Sequence, residues 1–393
     1  MKKILILLLF ITFPSWSITQ LSLWHSWKEN QALWLKIAQE FNNSHPNIKL
    51  KVSAFDHEEM KLAIIKSGFK LKSTDMVVMP SDWLGYQNLM QFSAIPKEVI
   101  NKNVNANILK QSYFYGKIRG IPLFQGNHLL FMYNKSLVKT PVISWQELID
   151  QKEFWLKQKI TPLAINYNEM YWFLPFISAF GGFPVHGDKI TLNTPETIKA
   201  LQFYKYLADI SVVNKQCNYQ CVSTDFYQGK FAYSMAGAWA YKAAKNALGD
   251  KLGIALFPKL KQHDFKPLRG NLILAFPKNK FNGLKHDALL KFSRFIQQQK
   301  YQQIMFEQGT VFPVNDTVMN NILTHANSDL KLSFKQFNQS DNMPASTSIT
   351  AIWNGMGKGF SLYMHDQLNA ADAVKYMQRS VEHQQELLDR KFD

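Results

Sequence analysis

Cysteine is almost missing from this sequence. Cys217 and Cys221, in "NKQCNYQCVS", are the only two among 393 residues. So few exclude a disulfide-built scaffold, and no further ligands stand nearby at the spacing that a zinc site requires. Enzyme signatures are lacking too. There is no H-E-x-x-H, no G-x-S-x-G and no P-loop, and the two cysteines have no matching histidine context. Low-complexity segments, internal repeats and runs of five like charges are absent, so the basic balance of +16 reads as a solvated surface. No nucleic-acid partner is expected from it. Beyond residue 20 no apolar run reaches the roughly 20 residues that a spanning helix needs.

What the sequence does have begins with "MKKILILLLFITFPSWS". Lys2 and Lys3 form a basic start, Ile4 to Phe13 an apolar core, and Ser15 and Ser17 stand at −3 and −1 of a cleavage site. Residues 1–17 therefore read as a cleavable signal peptide, and the protein is expected to be exported. An exported chain favours a disulfide between Cys217 and Cys221. The loop it would close is small, so its chain-entropy contribution is about 2 kcal/mol.

The length predicts two domains, and the local pattern is α/β. Leu21 to Trp24 reads as a buried strand. Ser26 and Glu29 stand at N-cap and N3 of a capping box. Leu33, Trp34, Ile37, Ala38 and Phe41 then form a one-sided apolar stripe at helical spacing. A second strand at Ile48 to Val52 completes β-α-β, the unit of a parallel sheet. A helix over Glu58 to Ser67 precedes a buried strand, Asp75 to Pro80, which delivers Asp82 and Trp83 at its carboxyl end. Ligands of open α/β sheets bind outside such ends, so Trp24 and Asp82 are expected at one crevice.

Further on, Gly120 and Pro122 mark a crossing into a second lobe. Ser144 and Thr194 read as N-caps, the latter followed by Pro195 at N1. "PLRGNLILAFPKN" reads as a strand returning to the first lobe. A helix is predicted over Leu284 to Gln308, a polar stretch over Lys331 to Pro344, and closing helices of which the last is capped by Asn369. "GMGKG", Gly355 to Gly359, follows no predicted strand. It reads as a loop near a helix start and not as a phosphate loop.

In order, "LWHSW", "YNKSL" with "SWQELI", "LNTPETIKALQFY", "FYQGKFAYSMAGAW", "GTVFPVND" and "IWNGMG…LNAADAV" resemble the extracellular solute-binding proteins of bacterial ABC importers, sugar- and maltose-binding class. The resemblance implies a two-lobed periplasmic-binding-protein (Venus flytrap) fold with crossing hinge strands. The lobes would be 18–121 with 272–322, and 122–271 with 323–393. It implies capture of a sugar or oligosaccharide, delivery to an inner-membrane ABC permease, no catalysis, no cofactor or metal, and a monomer. "Trp-His-Ser" at the first turn also resembles the glycerol-phosphate-binding branch, so an anionic solute stays open as the ligand. A secreted carbohydrate-active enzyme and a chemosensory receptor subunit are the remaining alternatives.

Sugars present apolar C–H faces and rings of hydroxyls, so a site needs aromatic platforms and planar polar groups. Trp24, His25, Ser26 and Trp27 at the first turn fit, as do Asp82 and Trp83. Asn127 near the crossover, Tyr167, Asn168, Tyr171 and Trp172 at a strand-to-helix turn, and Gly237 and Trp239 at another are further candidates. Arg269 on the return strand could fork onto hydroxyls or phosphate, and Trp353 in "AIWNG" could stack. Trp34, on the helical stripe, is predicted to be core.

Overall fold

The computed structural model describes residues 18–66, 74–309 and 311–390, apart from the side chain of Glu29. The expected signal peptide, 1–17, lies outside the described residues. Two α/β bodies share the chain. The strands of the first sheet are β1 (Thr19–His25), β2 (Ile48–Ala54), β3 (Met76–Pro80), β4 (Ile121–Gly126), β9 (Leu268–Ala275), β10 (Phe312–Pro313) and β11 (Asp341–Asn342). Those of the second are β5 (Leu129–Asn134), β6 (Thr161–Ala164), β7 (Phe231–Gly237) and β8 (Leu252–Ala255).

In the first sheet the order is β10-β4-β9-β3-β1-β2, with β11 paired to β9. The β1–β2 and β1–β3 pairs are parallel, while β9 runs antiparallel to both β3 and β4. In the second the order is β8-β5-β7-β6. The chain passes from one sheet to the other between β4 and β5, where Asn127 adopts a left-handed φ of 45°. It returns between β8 and β9.

Local chemistry accounts for most elements. The stripe Leu33, Trp34, Ile37, Ala38 and Phe41 is the buried face of helix α1 (Gln31–Ser44), each large side chain contributing about 1.5–3 kcal/mol on burial. All five residues of β3 are buried, as expected of a central strand covered on both faces. Ser144, Thr194 and Asn369 each accept a backbone N–H of the first helical turn, as their positions predict.

Four expectations change. Ser26 does not cap a helix: a short 3-10 turn, Lys28–Asn30, precedes α1, and the predicted partner side chain, Glu29, is not among the described ones. His25 ties the turn instead. Its Nδ1 accepts the Trp27 N–H at 3.1 Å and its Nε2 lies 2.8 Å from Gln31 Oε1. The long helix predicted over 284–308 is two, His286–Ile296 and Gln299–Gly309. At the break Gln297 is buried and its amide bonds the carbonyls of Val99 and Ser293. The polar stretch at 331–344 contains most of a helix, Ser328–Gln339, whose buried face includes Asp329, Ser333 and Gln336. Finally, "GMGKG" lies inside a helix, Thr347–Met364. A Cβ on Gly355 would stand 2.7 Å from Val381 Cα, and one on Gly359 2.6 Å from Met377 Cγ. These glycines let the last helix, Ala370–Asp389, approach backbone to backbone. That helix pair touches both bodies: the first packs on the Ser81–Tyr86 turn after β3 and on Met170–Ser178, the second on Pro195–Asp209.

Candidate functional site

The carboxyl ends of β1, β2, β3, β6 and β7 open into one cleft of about 450 Å³ between the bodies. That volume is in the range of small-molecule sites, roughly 300–1,000 Å³. The first sheet contributes Ser26 and Trp27 after β1. It adds His57, Glu58 and Lys61 after β2, and Asp82, Trp83 and Tyr86 after β3. Asn127 sits at the crossing. The second body contributes Asn166, Glu169, Tyr171, Trp172, Tyr219 and Trp239, and Trp353 enters from the helix Thr347–Met364.

The walls are aromatic, and several polar edges of the rings are already committed within the protein. Trp353 Nε1 donates to Asp82 Oδ2 at 2.9 Å, Trp172 Nε1 to the Met235 carbonyl at 2.6 Å, and Trp239 Nε1 to Tyr219 Oη at 3.0 Å. The Tyr171 hydroxyl hydrogen is shared between the carbonyls of Asn127 and, at 3.0 Å, Leu268. Tyr171 is the hub: its ring centroid lies 5.8 Å from Trp172, 5.9 Å from Trp353 and 6.1 Å from Trp239. With their donors fixed, these rings are oriented before a ligand arrives.

Asp82 is the buried charge of the cleft. Its main-chain carbonyl accepts the Thr350 hydroxyl at 2.6 Å and its Oδ2 accepts Trp353, but its buried Oδ1 has no partner. Burial pushes the carboxyl up to about 6, against the smaller opposing effects of its own main-chain N–H, the Trp353 N–H and the charge of Lys61. Lys61 pairs with Glu58 at 2.5 Å and lies over the Tyr86 ring. The Tyr86 hydroxyl donates to Asn354 Oδ1 at 3.0 Å.

Nine predicted site residues meet here: Ser26, Trp27, Asp82, Trp83, Asn127, Tyr171, Trp172, Trp239 and Trp353. Four do not. Trp24 packs on Phe55 at 4.6 Å, because the strand alternation turns it away from the cleft. His25 is fully buried, and burial pushes its imidazole down to about 4. Gly237 lies beneath Trp239, where a Cβ would meet the indole at 2.2 Å. Arg269 faces a separate cavity of about 330 Å³. Its guanidinium covers the Phe337 ring at 4.4 Å and donates to Asn342 Oδ1 at 2.8 Å. At the turn after β6, Tyr167 is core, stacked on Tyr204, and Asn168 is exposed. Their neighbours Asn166 and Glu169 reach the cleft instead.

Sequence reasoning missed His57, Glu58, Lys61, Tyr86, Asn166, Glu169 and Tyr219. The carboxyl-end rule applies to β2 as it does to β1 and β3, and would have brought in the first three. Tyr219 stands between Cys217 and Cys221, whose sulfurs are joined in a disulfide. Among the described residues no three His, Cys, Asp or Glu side chains converge on a metal position, and no helix is long and apolar enough to cross a membrane.

A family model described as a bacterial extracellular solute-binding protein matches residues 36–331. Two solved structures share the fold. One is the maltose/maltodextrin-binding domain MalE from Bdellovibrio bacteriovorus bound to maltotriose. It is 23% identical over 93% of this chain and 99% of that one, with a TM-score of 0.85. The other is the GacH receptor of Streptomyces glaucescens, solved unliganded and with acarbose. It is 18% identical over 94% and 98%, also with a TM-score of 0.85. The fold is therefore the two-lobed one that the sequence resemblance implies.

Proposed function

Because the chain belongs to the bacterial extracellular solute-binding proteins, we propose that it captures a sugar or short oligosaccharide in this cleft and delivers it to an inner-membrane ABC importer. The observation that carries the reading is the pairing of eight aromatic side chains with one buried carboxylate oxygen that lacks a partner. Rings stack on the C–H faces of a pyranose. Asp82 Oδ1 accepts a hydroxyl, which restores the hydrogen bond that a buried acceptor otherwise forgoes. The maltotriose and acarbose bound by the two structural relatives point to the same ligand class.

Transport then follows from two-sided contact. Trp27, Lys61 and Asp82 reach the solute from one lobe, Glu169, Tyr171 and Trp239 from the other. A solute touching both favours the closed arrangement over the open one. The closed lobes dock on the permease. No bond of the solute is made or broken. The protein acts in the periplasm as a monomer after removal of residues 1–17.

A glycerol phosphate or other anionic solute fits less well. Arg269 is turned away, and Lys61 is outnumbered in the cleft by Glu58, Asp82 and Glu169. Calorimetric titration and thermal unfolding with maltotriose, acarbose and glycerol 3-phosphate test the reading. Saturating maltotriose or acarbose, at about 100 times Kd, should add about 2.7 kcal/mol and raise Tm by a few degrees, with the sugar recovered intact. A response to glycerol 3-phosphate alone would overturn the sugar assignment.

A further inference from the structure

The cleft occupies one face of the strands that cross between the bodies, and a second cavity of about 330 Å³ lies against the other. Side chains alternate along a strand, so Leu272 of β9 faces the cleft while Arg269 and Asn271 line the cavity. Gln125 of β4 stands beside Asn271 in register and lines it too. The cavity is walled further by the segment 105–111 and by Phe334, Phe337 and Asn338 of the helix Ser328–Gln339. That helix packs on β8 of the second sheet, so an occupant would touch both bodies.

The lining is rich in amides and poor in charge. Eight of its fifteen residues are Asn or Gln, and Arg269 and Asp316 supply one charge of each sign. An amide side chain offers both donors and an acceptor, so this lining suits a neutral ligand that donates and accepts in turn. Asn271 and Gln125 are only 2% and 8% exposed. Each donates an amide hydrogen to a main-chain carbonyl, Asn271 to Ile108 at 2.9 Å and Gln125 to Pro313 at 2.7 Å. Each keeps an amide oxygen that accepts nothing from the described residues. These acceptors are held in place and left for hydroxyl groups. Asn107 and Asn338 are exposed, and their side-chain amides bond no described residue, so they can follow a ligand. Phe334, near-parallel to Phe337 at 6.0 Å, adds an apolar side.

We propose that this cavity is a second solute site, smaller than the cleft, for one neutral polyol of monosaccharide size. Its volume stands near the lower end of the range for small-molecule sites, roughly 300–1,000 Å³, which suits a single ring and not a chain. The assignment holds whatever fills the cleft.

Calorimetric titration with D-glucose and D-sorbitol tests it, with D-glucuronate as an anion of the same size. Ligands this small should bind with Kd in the millimolar range. Asn338→Trp, at an exposed helix position, fills the cavity and should weaken both neutral ligands at least about tenfold by steric exclusion, with Tm little changed. Trp353→Ala alters the cleft alone and should change sorbitol affinity by less than about twofold. The reverse pattern, loss in Trp353→Ala and retention in Asn338→Trp, would place the polyol in the cleft and overturn the second site. So would the absence of binding by either ligand far above the millimolar range. Tighter binding of D-glucuronate than of D-glucose would overturn the neutral assignment. If the parent binds no maltotriose, the reading of the cleft falls, and the two variants still decide the second site.

Discussion

The two walls of the cleft are built differently. The wall from the first sheet is mixed, with His57, Glu58, Lys61 and Asp82 set among Trp27, Trp83 and Tyr86. The wall from the second body is dominated by Tyr171, Trp172, Tyr219 and Trp239, with Trp353 bridging to Asp82. The difference reflects what precedes each wall. Strands β1 to β3 end in short turns and helix starts, where polar side chains and free N–H groups gather. The second wall comes from the apolar start of the helix Met170–Ser178 and from a disulfide loop. A solute between them would meet most of the charged groups on one side and most of the ring faces on the other. Each wall can be broken separately.

Trp353→Ala should be the most damaging, because it removes a ring and strands Asp82 Oδ2 at once. Maltotriose affinity should fall about 100-fold by calorimetry, the size of an interface hot spot. Trp353→Phe should recover part of it.

Asp82→Asn should weaken binding about tenfold and stabilise the empty protein. The native carboxyl titrates near 6, above the ordinary 3.8, so the folded state binds the extra proton and stability from this group falls as pH rises from about 4 to about 6. Replacing it should raise the unfolding free energy at pH 7 by at most roughly 3 kcal/mol. His25 and His128 act in the opposite sense. Burial lowers them to about 4 and about 3, so their contribution is lost as pH falls from 6.5. Denaturant unfolding between pH 4 and 7 should therefore show a steeper acid loss in Asp82→Asn than in the parent. An identical slope in both would remove Asp82 from this account.

Gly237→Ala should displace the Trp239 ring and cost about fivefold in affinity, read by the same titration. Arg269→Ala should change maltotriose affinity by less than about twofold, since its guanidinium serves Asn342 and Phe337. A larger loss would return Arg269 to the cleft.

Much of this was legible in the sequence. Buried strands, the α1 stripe and three of the side-chain caps depend on short-range periodicity and chemistry, and the carboxyl-end rule found Asp82 and Trp83 while bringing Trp24 with them. The misses share a cause. Whether Trp24 or Trp27 faces the solute depends on strand phase and turn length, and Arg269 depends on which face of β9 looks at the cleft. Neither is fixed by composition. The helix Ser328–Gln339 hid because its buried face carries Asp329, Ser333 and Gln336, each accommodated by tertiary contacts that no local pattern announces. Gly355 and Gly359 read as loop residues because the reason for them, the backbone of Val381 and the side chain of Met377, lies some 20 residues downstream.

The Tyr171 hydroxyl touches Asn127, where the chain leaves the first sheet, and Leu268, where it comes back. A single phenol thus works as a pin through two of the segments that join the halves of the molecule, with its ring facing the space between them. If the lobes close on a solute as proposed, pressure on that ring would reach both of these segments through one oxygen, and the bend of the molecule and the filling of its cleft would be geared together at a single side chain.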